Sequence, residues 1–308
     1  RAADAGLFRK VLVGLSCRQY AACAEAVPAA LGLSASSVSR RFIRASARHL
    51  RTLCERRLDQ DEFVAVVLDG KTFAQDAMVI ALGVTLQGQK KILGFVQTAT
   101  ENEPVCAAFL RTLVARGLRV EPGLFCVIDG AKGLRTAIQT VFGAQALGQR
   151  CQWHKRENVV RYLPKAQQAA WRRRRQQAYE RPTYAEARAA LGRLRQELRG
   201  LNLSAVASLD EGLEETLTLH GLGLFPMLGV SLKTTNCLES LNAQLGQLTD
   251  KVDHWRTSDQ KQRWVASALS LIEPRLRRIK GYRHLPQLRA ALQAKIGKAE
   301  RVEGTRIA

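Results

Sequence analysis

Phe63-Val64-Ala65-Val66-Val67-Leu68-Asp69-Gly70 is a short unbroken apolar run closed by an acid and a turn residue. Six consecutive apolar side chains leave neither face of a strand for water, so this run predicts a strand buried on both sides of a sheet. Downstream, Met78 to Leu86 and Lys91 to Gln97 flank the turn Gln87-Gly88-Gln89 and predict a hairpin. Ala107 to Arg116 has helical spacing and reads as a crossover, after which Leu124-Phe125-Cys126-Val127-Ile128 is a second buried strand. It too ends in Asp-Gly, at Asp129-Gly130. A helix over Leu134 to Phe142 and a brief strand over Ala146 to Arg150 lead into Cys151-Gln152-Trp153-His154. The fold class is therefore α/β, a sheet flanked by helices.

On the N-terminal side, residues 1–58 show only helical spacing. Within Tyr20 to Arg44, Ala29-Ala30-Leu31-Gly32-Leu33-Ser34 reads as a helix end, a Gly turn and a Ser cap, and Ala35 to Ile43 as a second helix. This is helix-turn-helix grammar, and Arg40, Arg41 and Arg44 on the second helix are residue types that contact DNA. On the C-terminal side, residues 155–228 contain no strand signal. Residues 151–200 carry 13 Lys and Arg against 4 Glu, net +9. Lys155, Arg156 and the run Arg172, Arg173, Arg174 and Arg175 are the candidate phosphate contacts of this block. A last helical region opens near Thr235, is broken at Pro274 and Pro286, and frays after Lys298. The expected parts are 1–58, a helical DNA-binding region; 59–155, the first part of the core; 156–228, a basic helical insertion; and 229–308, completion of the core.

Across its 308 residues the chain has 48 Lys and Arg against 27 Asp and Glu, a formal charge of +21, which points to a polyanionic partner and foremost to nucleic acid. Its seven Cys are scattered singly, which excludes a disulfide framework and suits a reducing cytosol. No apolar run reaches the roughly 18 residues of a membrane span, and no signal peptide opens the chain, so a soluble, unexported protein is expected. The chain begins at Arg1 without Met, so a processed, trimmed or partial chain is expected.

Asp69 and Asp129 close two different buried strands at matching ends, where open sheets present their ligands. Phosphoryl transfer needs charge stabilised on both the attacking and the leaving oxygen. Two Mg²⁺ or Mn²⁺ ions about 3.5 to 4 Å apart, held by carboxylates, supply this. Two Asp neutralise too little of that charge, so a third carboxylate is required. Glu239 is a candidate, because Asn236, Glu239 and Asn242 recur at i, i+3 and i+6 on one helix stripe, over a buried face of Leu238, Leu241 and Leu245. By spacing alone Asp210, Glu211, Glu214 and Glu215 are rivals. Cys151-x-x-His154 lacks the second ligand pair of a structural zinc site and reads instead as support for a catalytic carboxylate or a phosphate. Gly130-Ala131-Lys132-Gly133 is too short for a phosphate-binding P-loop.

These pieces together resemble the Mutator-type transposases of bacterial insertion sequences, a branch of the acidic-triad (DDE) transposases and retroviral-type integrases. The matching segments are Leu68-Asp69-Gly70, Val127-Ile128-Asp129-Gly130, Arg150-Cys151-Gln152-Trp153-His154-Lys155 and Thr234-Thr235-Asn236-Cys237-Leu238-Glu239-Ser240-Leu241-Asn242. The resemblance implies a ribonuclease-H-like mixed sheet, an N-terminal helix-turn-helix and an all-α insertion before the last acid. It also implies the catalytic and metal-holding triad Asp69, Asp129 and Glu239, with Cys151, His154 and Asn236 supporting it. The partners implied are two Mg²⁺ or Mn²⁺ ions, the terminal inverted repeats and target DNA as duplex, and a second copy of the chain in a dimer or larger complex. A DNA-binding regulator descended from a transposase, and a structure-specific nuclease on the same fold, are the competing readings.

Overall fold

The computed structural model describes residues 2–16, 34–73, 75–99, 102–252 and 254–307. The chain forms two compact units, one of Arg1–Arg57 and Glu239–Leu276, the other of Leu58–Leu238 and Arg277–Ala308.

The second unit contains the sheet. Its five strands among the described residues are β1 (Phe63–Phe73), β2 (Asp76–Thr85), β3 (Lys90–Thr98), β4 (Leu124–Ile128) and β5 (Ala146–Arg150), in the order β3-β2-β1-β4-β5. β3, β2 and β1 are antiparallel neighbours, whereas β1 with β4 and β4 with β5 are parallel. Phe63 to Leu68 and all of β4 are buried, as an apolar run covered on both faces must be. Helix α1 (Ala2–Leu12) and helix α2 (Ala35–Glu55) belong to the first unit. In the second, α3 (Glu103–Ala115) and α4 (Lys132–Phe142) supply Leu110, Leu113, Leu134 and Ile138 to one core with Val66, Leu68 and Cys126 of the sheet.

After β5 the chain is helical. The segments are α5 (Gln152–Val160), α6 (Lys165–Tyr179), α7 (Tyr184–Arg199), α8 (Leu203–Asp210), α9 (Leu213–Thr216), α10 (Thr218–Gly221) and α11 (Phe225–Leu232). Trp171, Tyr179, Leu191, Leu198 and Leu209 give this block its own core. It also covers the edge of β5, an exposed row of unpaired backbone groups if left open. Gln149 Nε2 and Gln152 Nε2 donate to the Thr216 carbonyl at 2.8 and 2.9 Å, and Thr218 Oγ1 donates to the Gly148 carbonyl at 2.6 Å.

At the opposite end of the sheet, α14 (Leu285–Ile307) sends Arg289 beneath the two central strands. Its guanidinium donates to the Phe63 carbonyl at 2.5 Å and to the Gly123 carbonyl, tying together the starts of β1 and β4. An Arg289→Met substitution leaves both carbonyls without a buried donor. The expected cost is about 3 kcal/mol, or a melting temperature lower by roughly 6–12 °C, read by calorimetry.

The first unit is held by rings. Phe8 of α1 stacks on Phe42 of α2 at 5.4 Å between centroids, and Phe42 packs on Trp264 at 5.0 Å. Trp264 lies on α13 (Ser258–Ile272), whose Arg263 donates to Ser46 Oγ at 3.0 Å and to Asp259 at 2.7 Å. The remaining helix, α12 (Asn236–Thr249), begins in the second unit and passes into the first at Glu239.

The described strands and helices follow the order that the sequence predicts, with differences at their ends. β1 runs on to Phe73 because Lys71, Thr72 and Phe73 pair with Met78, Ala77 and Asp76 of β2. The second helix of the expected helix-turn-helix is capped by Ser34, whose Oγ accepts from Ser37 N at 3.2 Å, but it runs to Glu55 instead of Ile43. The expected first helix and Gly turn, within Tyr20 to Leu33, lie outside the described residues. Pro286 stands in the first turn of α14 and does not break it, and that helix continues past Lys298 to Ile307. Among the described residues no helix is long and apolar enough to cross a membrane.

Candidate active site

The parallel ladder between β1 and β4 ends at the pair Leu68 and Ile128, so Asp69 and Asp129 are the next residue on each strand. Neighbouring strands are about 4.8 Å apart, which sets the two residues at the same end of adjacent strands. The antiparallel ladder continues there, with Asp69 opposite Ile80. Asp69 is thereby fixed within a strand, while Asp129 leaves its strand into a turn. Asp129 Oδ1 accepts from Ala131 N at 2.9 Å, an Asx-turn that orients the carboxylate. Asp69 is buried and Asp129 half-buried.

Above this pair, the start of α5 meets the start of α12. Gln152 N donates to the Lys233 carbonyl at 3.0 Å. Thr235 Oγ1, fully buried, donates to Cys151 Sγ at 3.7 Å and lies 3.5 Å from His154 Nδ1. Burial pushes the His154 imidazole down. Its contact with Cys151 and the charges of Asp69 and Asp129 outweigh that and raise it to about 9, so the ring is a cation beside the acids at neutral pH. Burial pushes the Cys237 thiol of α12 up to about 11, with Asp69 adding to the rise against Lys90, so the first residues of α12 also lie within reach of Asp69's charge.

Sequence reasoning gave Thr235 no role. Nothing in a Thr-Thr-Asn helix start marks the second hydroxyl as the one turned toward Cys151. A Thr235→Val variant keeps the shape and loses the hydroxyl. A loss of about 10- to 100-fold in whatever reaction this site supports is expected, with Thr235→Ser restoring most of it, as for groups that orient an active-site ligand.

Glu239 is half-buried, on the first turn of α12, with its Oε1 buried and without a hydrogen-bond partner. Each of its four rivals is committed elsewhere. Asp210 pairs with Arg195 at 2.7 Å, Glu215 with Arg135 at 2.6 Å, Glu214 with Tyr184 and Arg188 at 2.6 Å each, and Glu211 with Arg150 and Lys155 at 3.5 Å. Asn236 is exposed, and Leu238, Leu241 and Leu245 are buried as their spacing requires. Among the described residues no three His, Cys, Asp or Glu side chains are grouped to hold a metal ion. The chemistry of the two strand-end carboxylates, hard oxygen donors at one end of the sheet, nevertheless fits a hard divalent cation.

The basic residues separate into two sets. Arg156, Arg172 and Arg173, with Gln176 and Gln177, line a surface groove of about 580 Å³ on α5 and α6. Glu157 lies between Arg156 and Arg172, accepting from them at 3.0 and 2.8 Å, and Arg173 is exposed. Arg174 lies over the Trp171 ring and pairs with Glu197. Lys155 and Arg175, expected at a phosphate-contacting surface, are instead fully buried, because the block packs α6 against α5 through them. On α2, Arg41, Arg44 and Arg48 line a second groove of about 410 Å³, with Arg40 exposed nearby.

Residues 2–271 match the family model described as "Transposase, Mutator family". The chain is 29% identical over 175 residues to the transposase for insertion sequence element IST2 of Acidithiobacillus ferrooxidans, covering 56% of this chain and 57% of the relative. It is 32% identical over 172 residues to the transposase for insertion sequence element IS256 in transposon Tn4001 of Staphylococcus aureus, covering 54% and 42%. It is 28% identical over 264 residues to the transposase for insertion sequence element ISRM5 of Rhizobium meliloti (strain 1021), covering 81% and 63%. The chain thus spans about half the length of the curated relatives it matches.

Proposed function

The chain belongs to the Mutator family of transposases, and from that premise we propose that it cleaves transposon ends and joins them to target DNA, with Asp69, Asp129 and Glu239 as its metal-holding acids. The observation that carries this reading is the placement of Asp69 and Asp129 one step beyond the last pair of a parallel ladder. The strand order β3-β2-β1-β4-β5, antiparallel through β1 and parallel beyond it, supports a ribonuclease-H-like core for the second unit.

Asp69 and Asp129 would hold a pair of Mg²⁺ or Mn²⁺ ions from the sheet, and Glu239 would complete the set from α12. Such ions, when bound, stabilise the attacking and leaving oxygens of an in-line displacement. Water attacks the phosphodiester at the element end, the bond from phosphorus to the element's terminal 3′ oxygen breaks, the phosphate stays on the flanking strand as a 5′ phosphate, and the element's 3′ hydroxyl is released. That hydroxyl then attacks a target phosphodiester and frees a second 3′ hydroxyl, with no covalent link to the protein. His154, a cation held by Thr235, sets a positive charge beside the two acids. The grooves of Arg156, Arg172 and Arg173 and of Arg40, Arg41 and Arg44 bind duplex backbone, and synapsis of two ends calls for at least a dimer. A strand-transfer assay with labelled terminal inverted repeats tests this. Joined products are expected in Mg²⁺ or Mn²⁺; cutting without joining would favour a nuclease, and binding alone a regulator.

A further inference from the structure

Two buried cations meet one carboxylate where β5 and α5 join the helical block, and a third lies behind them against Lys155. Arg150 Nη2 and Lys155 Nζ each lie 3.5 Å from Glu211 Oε2, and Arg175 donates to the Lys155 carbonyl at 3.3 Å and to Tyr179 Oη at 3.2 Å. The Lys155 and Arg175 side chains are 0% exposed, whereas that of Glu211 is 50% exposed at the mouth of the cluster. Lys155 Nζ, Arg150 Nε and Arg175 Nε have no hydrogen-bond partner. Beyond Glu211, the acids near the cluster are Asp210, which feels the Lys155 charge but is paired with Arg195, and Glu157, which lies near Arg175 and is already shared by Arg156 and Arg172. Cations in such surroundings are costly unless an anion compensates them. Burial, reinforced by Arg150, pushes the Lys155 ammonium down to about 8 even with Glu211 opposite.

The backbone is shaped around these groups. Gly130 and Gly212 both have positive φ, at +105° and +66°, and a Cβ on either would overlap the Arg150 guanidinium. Glu211 itself is the last cap residue of α8, in an extended conformation, directly before left-handed Gly212. Its carboxylate therefore sits on a turn, not inside a helix, and can swing toward solvent without unwinding α8.

We propose that Arg150 and Lys155, backed by Arg175, form a phosphate-binding site, and that the Glu211 carboxylate occupies it in the ligand-free chain as an internal stand-in. A phosphate offers more acceptor oxygens and more charge than one carboxylate, which matches donors that Glu211 leaves unused. The group bound in the working protein is a backbone phosphate of nucleic acid; that identity rests on the transposition reading, whereas the site itself does not.

The test uses the full chain and its Glu211→Gln variant, titrated with inorganic phosphate at constant ionic strength against chloride and followed by thermal shift. Glu211 is exposed, so the variant is expected to fold as the parent does, checked by circular dichroism. Removing the competing carboxylate is expected to tighten phosphate binding about tenfold, and adding Lys155→Met to Glu211→Gln to remove the gain. Short duplex DNA is expected to displace the phosphate. Phosphate binding without such competition upholds the site and assigns it to a free phosphate. A folded Glu211→Gln chain stabilised no more by phosphate than by chloride overturns the proposal and leaves an ion cluster that only joins α5 to α8. None of these readouts needs cleavage activity, so failure here is separable from failure of the transposition reading.

Discussion

Asp129→Asn is expected to lower metal-dependent cleavage of transposon ends by about 10³-fold, equivalent to roughly 4 kcal/mol of lost transition-state stabilisation. The substitution is nearly isosteric. It preserves the Asx-turn, since the amide oxygen can still accept from Ala131 N, the bond now made by Asp129 Oδ1 at 2.9 Å. Folding and affinity for duplex DNA should therefore stay within about twofold of the parent, because backbone affinity comes from the Lys and Arg surfaces. Gel-shift and cleavage assays on one preparation read both. Cleavage that persists in Asp129→Asn would remove Asp129 from the chemistry.

Glu239→Gln is expected to produce a comparable loss of cleavage with the opposite sign in stability. Glu239 Oε1 is buried without a hydrogen-bond partner, and an unpartnered buried carboxylate oxygen costs free energy that an amide at the same place reduces. The variant should melt at the parent temperature or a few degrees above it, while cleavage falls by about 10²- to 10³-fold. A structural Glu would behave the other way, with stability lost and activity preserved in the folded fraction. Melting and single-turnover cleavage, measured side by side, separate the two.

How far the sequence alone reaches depends on what each residue's neighbours are. The bounds of β4 are readable because its run is short, apolar and closed by Asp129-Gly130. The extension of β1 past Asp69 is not, because Lys71 and Thr72 are polar and it is their pairing with β2 that places them in the strand. That extension matters, since it makes Asp69 a residue inside a strand where the parallel ladder stops. The two aspartates follow from matching strand ends, but nothing in the spacing separates Glu239 from Asp210, Glu211, Glu214 or Glu215; family resemblance does. The structure adds an independent reason, the ion pairs that occupy the other four. Charge runs mislead in a related way. Arg172 to Arg175 reads as one solvated face, yet a helix turns 100° per residue, so Arg173 faces water while Arg175 is sealed against Lys155 and Tyr179. Thr235 and Arg150 gain their roles only from residues distant in the chain, His154 and Glu211.

Crystals of the chain soaked in Mn²⁺, read by anomalous scattering at the manganese edge, test most directly whether the strand-end carboxylates hold metal. The expected map has a manganese peak coordinated by Asp69 and Asp129, with Glu239 Oε1 as a further ligand or bridged to it by water, and no such peak in Asp129→Asn crystals. A chain that cleaves DNA in Mn²⁺ yet shows no manganese at Asp69 and Asp129, or binds it at an unrelated set of residues, would contradict the two-aspartate site and everything proposed from it.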